Sequence, residues 1–490
     1  MFFDDLHLAE KSNCVVRTIQ PGRGFTALKA DREWERCGLC GDPCMTLLDD
    51  DGVIKLYYTI VSPDAAQGSH RELSASERAS LDLEHIDAKF LADILCPERY
   101  YLCYAYSTDG RNWVKPDLGI YEVDGSKHNN IVWGGRIGAT VFIDPTAPAE
   151  SRYKMIHGGS LKLPHWMNGK FIRMAYTGIY GAVSSDGIHW RNSDKPIMPH
   201  YTDTTNVCFY DDEQQKYIAF VRTDKNMIYD NGKTVMTDPE HRTYRIISRS
   251  ESRDFFNFPP PETVMEPAAE DCRDYHSHWQ CKAGMDFYNP AAMKYPAASG
   301  VYFLFPSYFH HDTDEAIIRI AAGRDSKNFT RNDQILIPPE AAPAFRAQQQ
   351  YLACGMLSGA DDSLTVYAHA CSVGHDAQGT AAERQHEIVG YTFQTDGFLG
   401  QYSRGGSLTT HYLDVPENCR TVKLRAQINA GGQLQLVLLD ENSQTLDVQF
   451  VRQAAANCGT ILQAVLPEQV KRIKLQMQIV EATVFSLEFL

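Results

Sequence analysis

Long apolar runs are missing from this 490-residue chain: nowhere does an uninterrupted apolar stretch reach the roughly 18 residues that a membrane-crossing helix requires. Positive charge is also in short supply. Against 62 Asp and Glu stand 47 Lys and Arg, a formal net charge of −15, which argues against nucleic acid or an anionic membrane surface as partner and favours a neutral or cationic ligand. The N-terminal stretch MFFDDLHLAEKSNCVV carries acids where a secretory leader needs a basic start, and no long apolar core follows. The thirteen cysteines are odd in number and scattered through strand-like runs such as Tyr101 to Tyr106 and Val207 to Tyr210. Reduced thiols in a cytoplasmic protein are the expectation. The glycines of GGRIGA, from Gly134, fit neither a dinucleotide fingerprint nor a P-loop. Cys37, Cys40 and Cys44 lack an evident fourth ligand for zinc or an iron–sulfur cluster. No cofactor and no metal is expected.

What the chain does have is aromatics, 11% of its residues, and a good supply of Gly and Pro. That balance favours strands and turns. One stretch, YAYSTDGRNW from Tyr104 to Trp113, combines an alternating apolar run, a tight-turn signal at Ser107-Thr108-Asp109-Gly110 and an aromatic at the point of re-entry. Related stretches follow at Asp186-Gly187 with Trp190, at Asp254 with Phe258, at Asp325 with Phe329 and at Asp396-Gly397-Phe398. Counted from Asp to Asp, the steps are 77, 68, 71 and 71 residues. This period exceeds the roughly 40–50 residues of a compact propeller blade and suits blades with long loops. The pattern predicts an all-β fold with a five-bladed β-propeller, in which Trp113 and Trp190 pack between blades.

Taken in order, residues 1–30 supply a strand closing the ring with the last blade. Blade one opens near Cys40 with two strand-like runs flanking Asp49-Asp50-Asp51-Gly52. Residues 72–95, without Gly or Pro and apolar at helical spacing, predict an inserted helix. Later blades start near Ile131, Asp203, Gly284 and Tyr351. Beyond Gly400 the chain turns to short alternating runs with few candidate catalytic groups, the pattern of a β-sandwich. The expected division is 1–398 propeller and 399–490 sandwich.

With YAYSTDGRNWVKPDLG, the Ser151–Met155 run and the Asp-Gly-Phe that opens the sandwich in view, the sequence resembles the five-bladed propeller glycosidases, glycoside hydrolase families 32, 43 and 68. It is most similar to uncharacterised bacterial propellers of the family-32-like kind. The resemblance implies a propeller joined to a C-terminal sandwich and a carbohydrate substrate in the axial funnel. It also implies site residues. Gly41-Asp42-Pro43-Cys44 stands where that family carries Asn-Asp-Pro-Asn with its nucleophile, so Asp42 takes that place with both Asn positions changed. Arg136 is all that matches the second-blade Arg-Asp-Pro. Asp203-Thr204-Thr205-Asn206 aligns with the third-blade acid motif, with Asp in place of Glu.

Glycoside cleavage needs two carboxyl groups across the scissile bond. In a propeller the innermost strands converge on the axis, so carboxylates at blade starts meet although distant in sequence. Asp42, Asp203 and Asp286 stand at such starts, each with a turn-capping role as its rival. Glu35 is a further candidate acid or base, against a solvated surface carboxylate. Trp34, Arg136, Asn206, His276, His278 and Trp279 are candidate substrate-binding residues. His276 and His278 would otherwise be a metal pair, but they lack a third spaced ligand. The reading is a glycosidase acting on a furanoside or related small glycoside, with no nucleic acid or membrane partner. A homo-oligomer is compatible with it. The alternatives are a propeller that binds a glycan without cleaving it and a protein-interaction scaffold.

Overall fold

The computed structural model describes residues 1–63, 72, 75, 78, 100–135, 139–158, 162–167, 170–176, 178–198, 200, 206–225, 227–230, 233–236, 244–268, 271, 284–375, 377, 384–453 and 458–490; the side chains of 42–44, 162–167, 170–176, 227–230, 233–236 and 458 lie outside that description. Among the described residues strands dominate, and no helix is long and apolar enough to cross a membrane. The helical insertion expected over 72–95 lies almost wholly outside the described residues.

Five four-stranded antiparallel units account for the propeller. Blade 1 is Leu39–Asp50, Val53–Val61, Tyr100–Ser107 and Ile131–Gly135. Blade 2 is Ala139–Ile143, Tyr153–Gly158, Ile179–Ser184 and Arg191–Asn192. Blade 3 is Asn206–Asp211, Lys216–Asp224, Arg245–Ser252 and Glu262–Met265. Blade 4 is Ala292–Lys294, Tyr302–Leu304, Ile320–Gly323 and Thr330–Asn332. Blade 5 is Gln349–Leu352, Ser363–Cys371 and His386–Gln394, and its fourth strand is Phe25–Lys29 from the other end of the chain. That strand closes the ring, as the sequence led one to expect. It fits because Gly390, opposite Phe25, has no side chain: a Cβ there would lie 2.3 Å from the Phe25 ring.

Three of the repeated Asp turns share one geometry, and all five have one place. Asp109 Oδ1 accepts the N–H groups of Arg111 and Asn112, both at 2.8 Å, and Ser107 Oγ accepts that of Gly110 at 3.0 Å. Asp186 does the same for Ile188 and His189, and Asp325 for Lys327 and Asn328. Each turn follows the third strand of its blade. After the fifth, at Asp396, the chain leaves the propeller for the strand Leu399–Ser403, which is why the fourth strand of blade 5 comes from the N-terminal end. The aromatic that follows a turn fills an interblade gap, Trp113 against Tyr367 of blade 5 and Trp190 against the Tyr57 and Tyr153 cluster of blades 1 and 2.

The C-terminal β-sandwich is a nine-stranded sheet folded on two long strands, Thr421–Asp440 and Arg472–Phe489. Their pairing shifts register between Ile428 and Gln433, around Gly431 at φ 77°. Alternate residues point inward, Leu424, Ala426 and Ile428 before the shift and Leu434, Leu436 and Leu438 after it, against Leu475, Met477 and Ile479. One expectation needs correcting. Leu8–Ser12 pairs with Gly406–Thr410 and Val15–Thr18 with Leu399–Ser403, so the strands between residues 8 and 18 run in the sandwich and the propeller strands begin at Phe25. Strands of four or five residues carry too little pattern to name a partner some 390 positions away.

Candidate active site

In a four-stranded meander the start of the first strand and the connection from second to third strand lie at the same end, opposite the Asp turns. Four long connections fall at that end, 62–99 in blade 1, 159–178 in blade 2, 225–244 in blade 3 and 372–385 in blade 5, against one, 108–130 of blade 1, at the other. The mouth of the funnel is therefore the end at which the innermost strands begin. Those strands are bonded to one another around the axis. The Val141 N–H donates to Thr46 Oγ1 at 3.2 Å and Thr140 Oγ1 to the Asn206 carbonyl at 2.5 Å; between blades 1 and 5 the Leu47 N–H donates to the Cys354 carbonyl at 2.7 Å and the Cys354 N–H to the Met45 carbonyl at 2.9 Å. Asn206, buried at the start of blade 3, is thus brought beside blade 2.

The motif Gly41-Asp42-Pro43-Cys44 is a break in the ladder. Cys40 pairs with Thr59 and Met45 with Tyr58, so the four residues between have no counterparts on the next strand. Bulges of this kind re-aim side chains and recur beside active sites. The bulge rests on a histidine from blade 5: a Cβ on Gly41 would lie 2.4 Å from His369 Nδ1. His369 is buried, stacks on Tyr351 at 12°, and its Nε2 lies 3.2 Å from His386 Nδ1. Its Nδ1 has no hydrogen-bond partner among the described residues and is turned to the bulge. Burial holds the His369 pKa well below the ordinary histidine value, and burial with the Arg384 charge brings His386 down to about 4. The pair is neutral near neutral pH.

From His369 a polar and aromatic wall runs around the mouth. Tyr351 shares a hydrogen bond with His375 Nδ1 at 2.8 Å, and His375 packs on Tyr288 with ring centroids 4.3 Å apart. Tyr288 lies between two guanidinium groups of blade 3, Arg222 at 4.8 Å and Arg245 at 4.5 Å. Blade 4 reaches this wall because its strands continue past Pro290 and Pro306 as Met285–Phe287, Ser307–His310 and Glu315–Ile318, the last pairing with Gln349 of blade 5. Asp286 sits on that extension, fully buried. It accepts the Arg245 N–H at 3.1 Å and Arg245 Nη1 at 3.0 Å, and His311 Nε2 lies 3.5 Å away. Asp286, expected at a blade start, lies on this extension ahead of blade 4 and is bound to an arginine.

Glu35 and Trp34 belong elsewhere, which corrects the expectation of a funnel position. Glu35 is fully buried in the interface of blades 5 and 1. Its Oε1 accepts Tyr58 OH at 2.6 Å; its Oε2 accepts the N–H groups of Asp31 and Arg32 and Lys115 Nζ at 2.7 Å. Neither oxygen is left to attack or protonate a ligand. Trp34 donates from Nε1 to Asn130 Oδ1 in the same network. The side chain of Asp42, and Arg136, Asp203, His276, His278 and Trp279 entirely, lie outside the described residues. No metal-binding group of three or more ligands occurs among the described residues, which leave out the Cys44 side chain. Sequence reasoning missed His369, Tyr351 and Arg245. The first two lie in strand-like runs where alternation marks them as core, and their role depends on the neighbouring blade.

No protein-family model and no curated protein sequence matches the chain. Among solved structures it is similar to a glycoside hydrolase family 43 arabinoxylan arabinofuranohydrolase from Bacillus subtilis, in complex with cellotetraose, at 11% identity over 94% of this chain and 97% of that one, with a TM-score of 0.38. It is similar also to fructan 1-exohydrolase IIa from Cichorium intybus in complex with 1-kestose, at 11% identity over 96% and 98%, with a TM-score of 0.38. The third is the family 32 beta-fructofuranosidase BmSUC1 of Bombyx mori, at 9% identity over 90% of each chain, with a TM-score of 0.37.

Proposed function

We propose that the protein is a glycoside hydrolase acting on a small glycoside, a furanoside or a related sugar, at the axial mouth. The observation that carries this reading is the four-residue bulge at Gly41–Cys44, seated on a buried neutral histidine whose Nδ1 faces it. Such a bulge turns Asp42 out of the strand ladder, and Asp42 acts as nucleophile or base. Asp203, three positions before Asn206 in the sequence, acts as the acid. Separation of the two carboxyl groups by about 5–5.5 Å would give retention, and by about 6.5–9.5 Å inversion. Asp286 positions Arg245 and, with Tyr288 and Tyr351, shapes the wall that receives sugar hydroxyls and ring faces.

The capture of Asp286 by Arg245 also favours a second reading, a propeller that binds a glycan without cleaving it, since it withdraws one carboxylate from proton transfer. A panel of aryl furanosides and pyranosides, assayed with the wild type and with Asp42→Asn, Asp203→Asn and Asp286→Asn, separates the two. Hydrolysis that falls by about 10²–10⁴-fold in Asp42→Asn and Asp203→Asn supports the enzyme. No turnover on any member with glycan binding retained supports the binding protein, and activity indifferent to all three changes removes this site.

A further inference from the structure

The edge of a sheet presents a row of N–H and C=O groups to any chain that comes beside it. Among the described residues most such edges are short. The outermost strands of the five blades run for two to five residues, and the sandwich edges Leu8–Ser12 and Val15–Thr18 for five and four. Two sandwich edges are longer, Thr445–Arg452 and Cys458–Val465 at eight residues each, both bonded to the long strand Thr421–Asp440. The second is engaged from within the sandwich, where Gln449 Nε2 donates to the Gln463 carbonyl at 2.5 Å. The first is open: among the described residues Thr445–Arg452 pairs with Thr421–Asp440 alone.

Two observations fix which backbone groups face the open side. Gln453 exchanges hydrogen bonds with Gly431 and Gly432 of the long strand, whereas the Val448 N–H donates to Asp447 Oδ1 at 2.8 Å. Alternate residues of an antiparallel strand turn the same way. Gln449 and Val451 therefore face the long strand, as Gln453 does, and Val448, Phe450 and Arg452 turn N–H and C=O outward. The side chains of Val448 and Phe450 are 54% and 58% exposed. Neither Pro nor Lys, two of the residues that keep edges apart, occurs in the strand. From Val448 to Arg452 it carries no carboxylate, and the residues opposite on the long strand, Gln433, Gln435 and Val437, are uncharged. In a chain of formal charge −15 this is a place where a second copy meets no acidic repulsion.

We propose that Thr445–Arg452 pairs antiparallel with the same strand of a second copy of this chain, about a two-fold axis at Gln449, so that the sheets of two sandwiches become one. An axis normal to the sheet keeps each side chain on its own face. With Gln449 opposite itself, Val448 stands opposite the partner's Phe450 and Phe450 opposite the partner's Val448, two aromatic–β-branched pairs of the kind that stabilise sheets. The outward N–H and C=O groups of both residues are satisfied in the same step, and the Val448 N–H exchanges its bond to Asp447 for one to backbone. A single shared ladder buries less than the roughly 800 Å² per partner of a standard stable interface, so the dimer is expected to be a weak one, with a Kd in the micromolar range.

The test is sedimentation velocity of the full chain over about 1–200 µM, a range that brackets a micromolar Kd. Wild type is compared with Val448→Lys, with Phe450→Glu and with the double variant that carries both, and thermal unfolding is recorded for each at the lowest concentration. The expected result is a concentration-dependent doubling of mass in wild type, weakened by about tenfold or more in each single variant. The double variant is expected to assemble more strongly than either single one, because the register sets the new ammonium of one copy against the new carboxylate of the other. An unchanged Tm, expected because both side chains are exposed in the single chain, separates loss of pairing from loss of fold. A wild type that stays monomeric over the whole range, or a dimer that neither single variant weakens, overturns the proposal. A double variant no stronger than the single ones overturns the pairing about Gln449.

Discussion

Single side chains in this protein divide by whether their polar atoms are already satisfied. Glu35 is the clearest case. A buried carboxylate with both oxygens bonded, one of them to the nearly buried ammonium of Lys115, holds structure together, and its loss leaves that ammonium with the exposed Asp31 carboxylate alone and takes the acceptor from Tyr58 OH and from the N–H groups of Asp31 and Arg32. Glu35→Ala is expected to lower unfolding free energy by about 3–5 kcal/mol, measured by urea denaturation. Histidines carry the pH dependence. His157, whose Nδ1 donates to the Gly158 carbonyl at 2.9 Å and whose ring packs on Trp133 and Tyr180, is pushed down to about 4 by burial, as is His386. A histidine whose folded pKa lies below its unfolded one binds more protons when unfolded once the pH drops. Its contribution is complete above about 6.5, declines as pH falls through the interval to about 4, and is lost below that. Unfolding free energy measured between pH 7 and 4 is expected to decline, by at most about 3 kcal/mol from His157 alone, and His157→Phe flattens that slope.

At the scale of elements, the Asp turns and the bulge play opposite parts. The turn at Asp109 satisfies its own backbone locally and sits at the end of blade 1 away from the mouth. Asp109→Ala is expected to cost about 1–2 kcal/mol in stability, as loss of a comparable cap does, and to leave hydrolysis unchanged. Gly41 is different, because its missing side chain lets the bulge lie on His369. Gly41→Ala brings a methyl group to within 2.4–2.5 Å of that ring. An overpacking loss of about 1–3 kcal/mol and a fall in turnover larger than that of Asp109→Ala are expected, read by thermal unfolding and by the aryl glycoside assay. The turns were legible in the sequence because Ser, Asp and Gly act within four residues of one another. The histidine beneath the bulge was not, because position 369 meets position 41 only once the ring closes.

Over the whole molecule, two long-range connections make one body of two layers. Phe25–Lys29 completes blade 5, and Arg425 of the sandwich pairs with Asp362 at 2.9 Å and Asp396 at 3.1 Å, both from turns of blade 5. Asp396, the fifth marker of the repeat, also accepts Tyr295 OH at 2.7 Å and Ser486 Oγ at 2.5 Å. It is both a blade marker and a clamp on the sandwich. Deleting residues 1–29 strips the partner from His386–Gln394 and leaves an open sheet edge. Aggregation and loss of a single cooperative transition are expected, seen by size-exclusion chromatography and calorimetry.

The sequence alone determined whatever its local patterns encode: strands from alternation and aromatics, turns from Ser-Asp-Gly, five blades from five spaced markers, and a change of architecture beyond Gly400. Only the tertiary structure decided that the strands between residues 8 and 18 run in the sandwich, that Glu35 is consumed by its neighbours, that Asp286 is held by Arg245, and that His369 lies under the Gly41 bulge. The physical reason is common to all four. Each depends on partners that are distant in the chain and adjacent only after the ring has closed, and no local pattern of side chains records which distant group will satisfy a buried carboxylate, an edge strand or an imidazole.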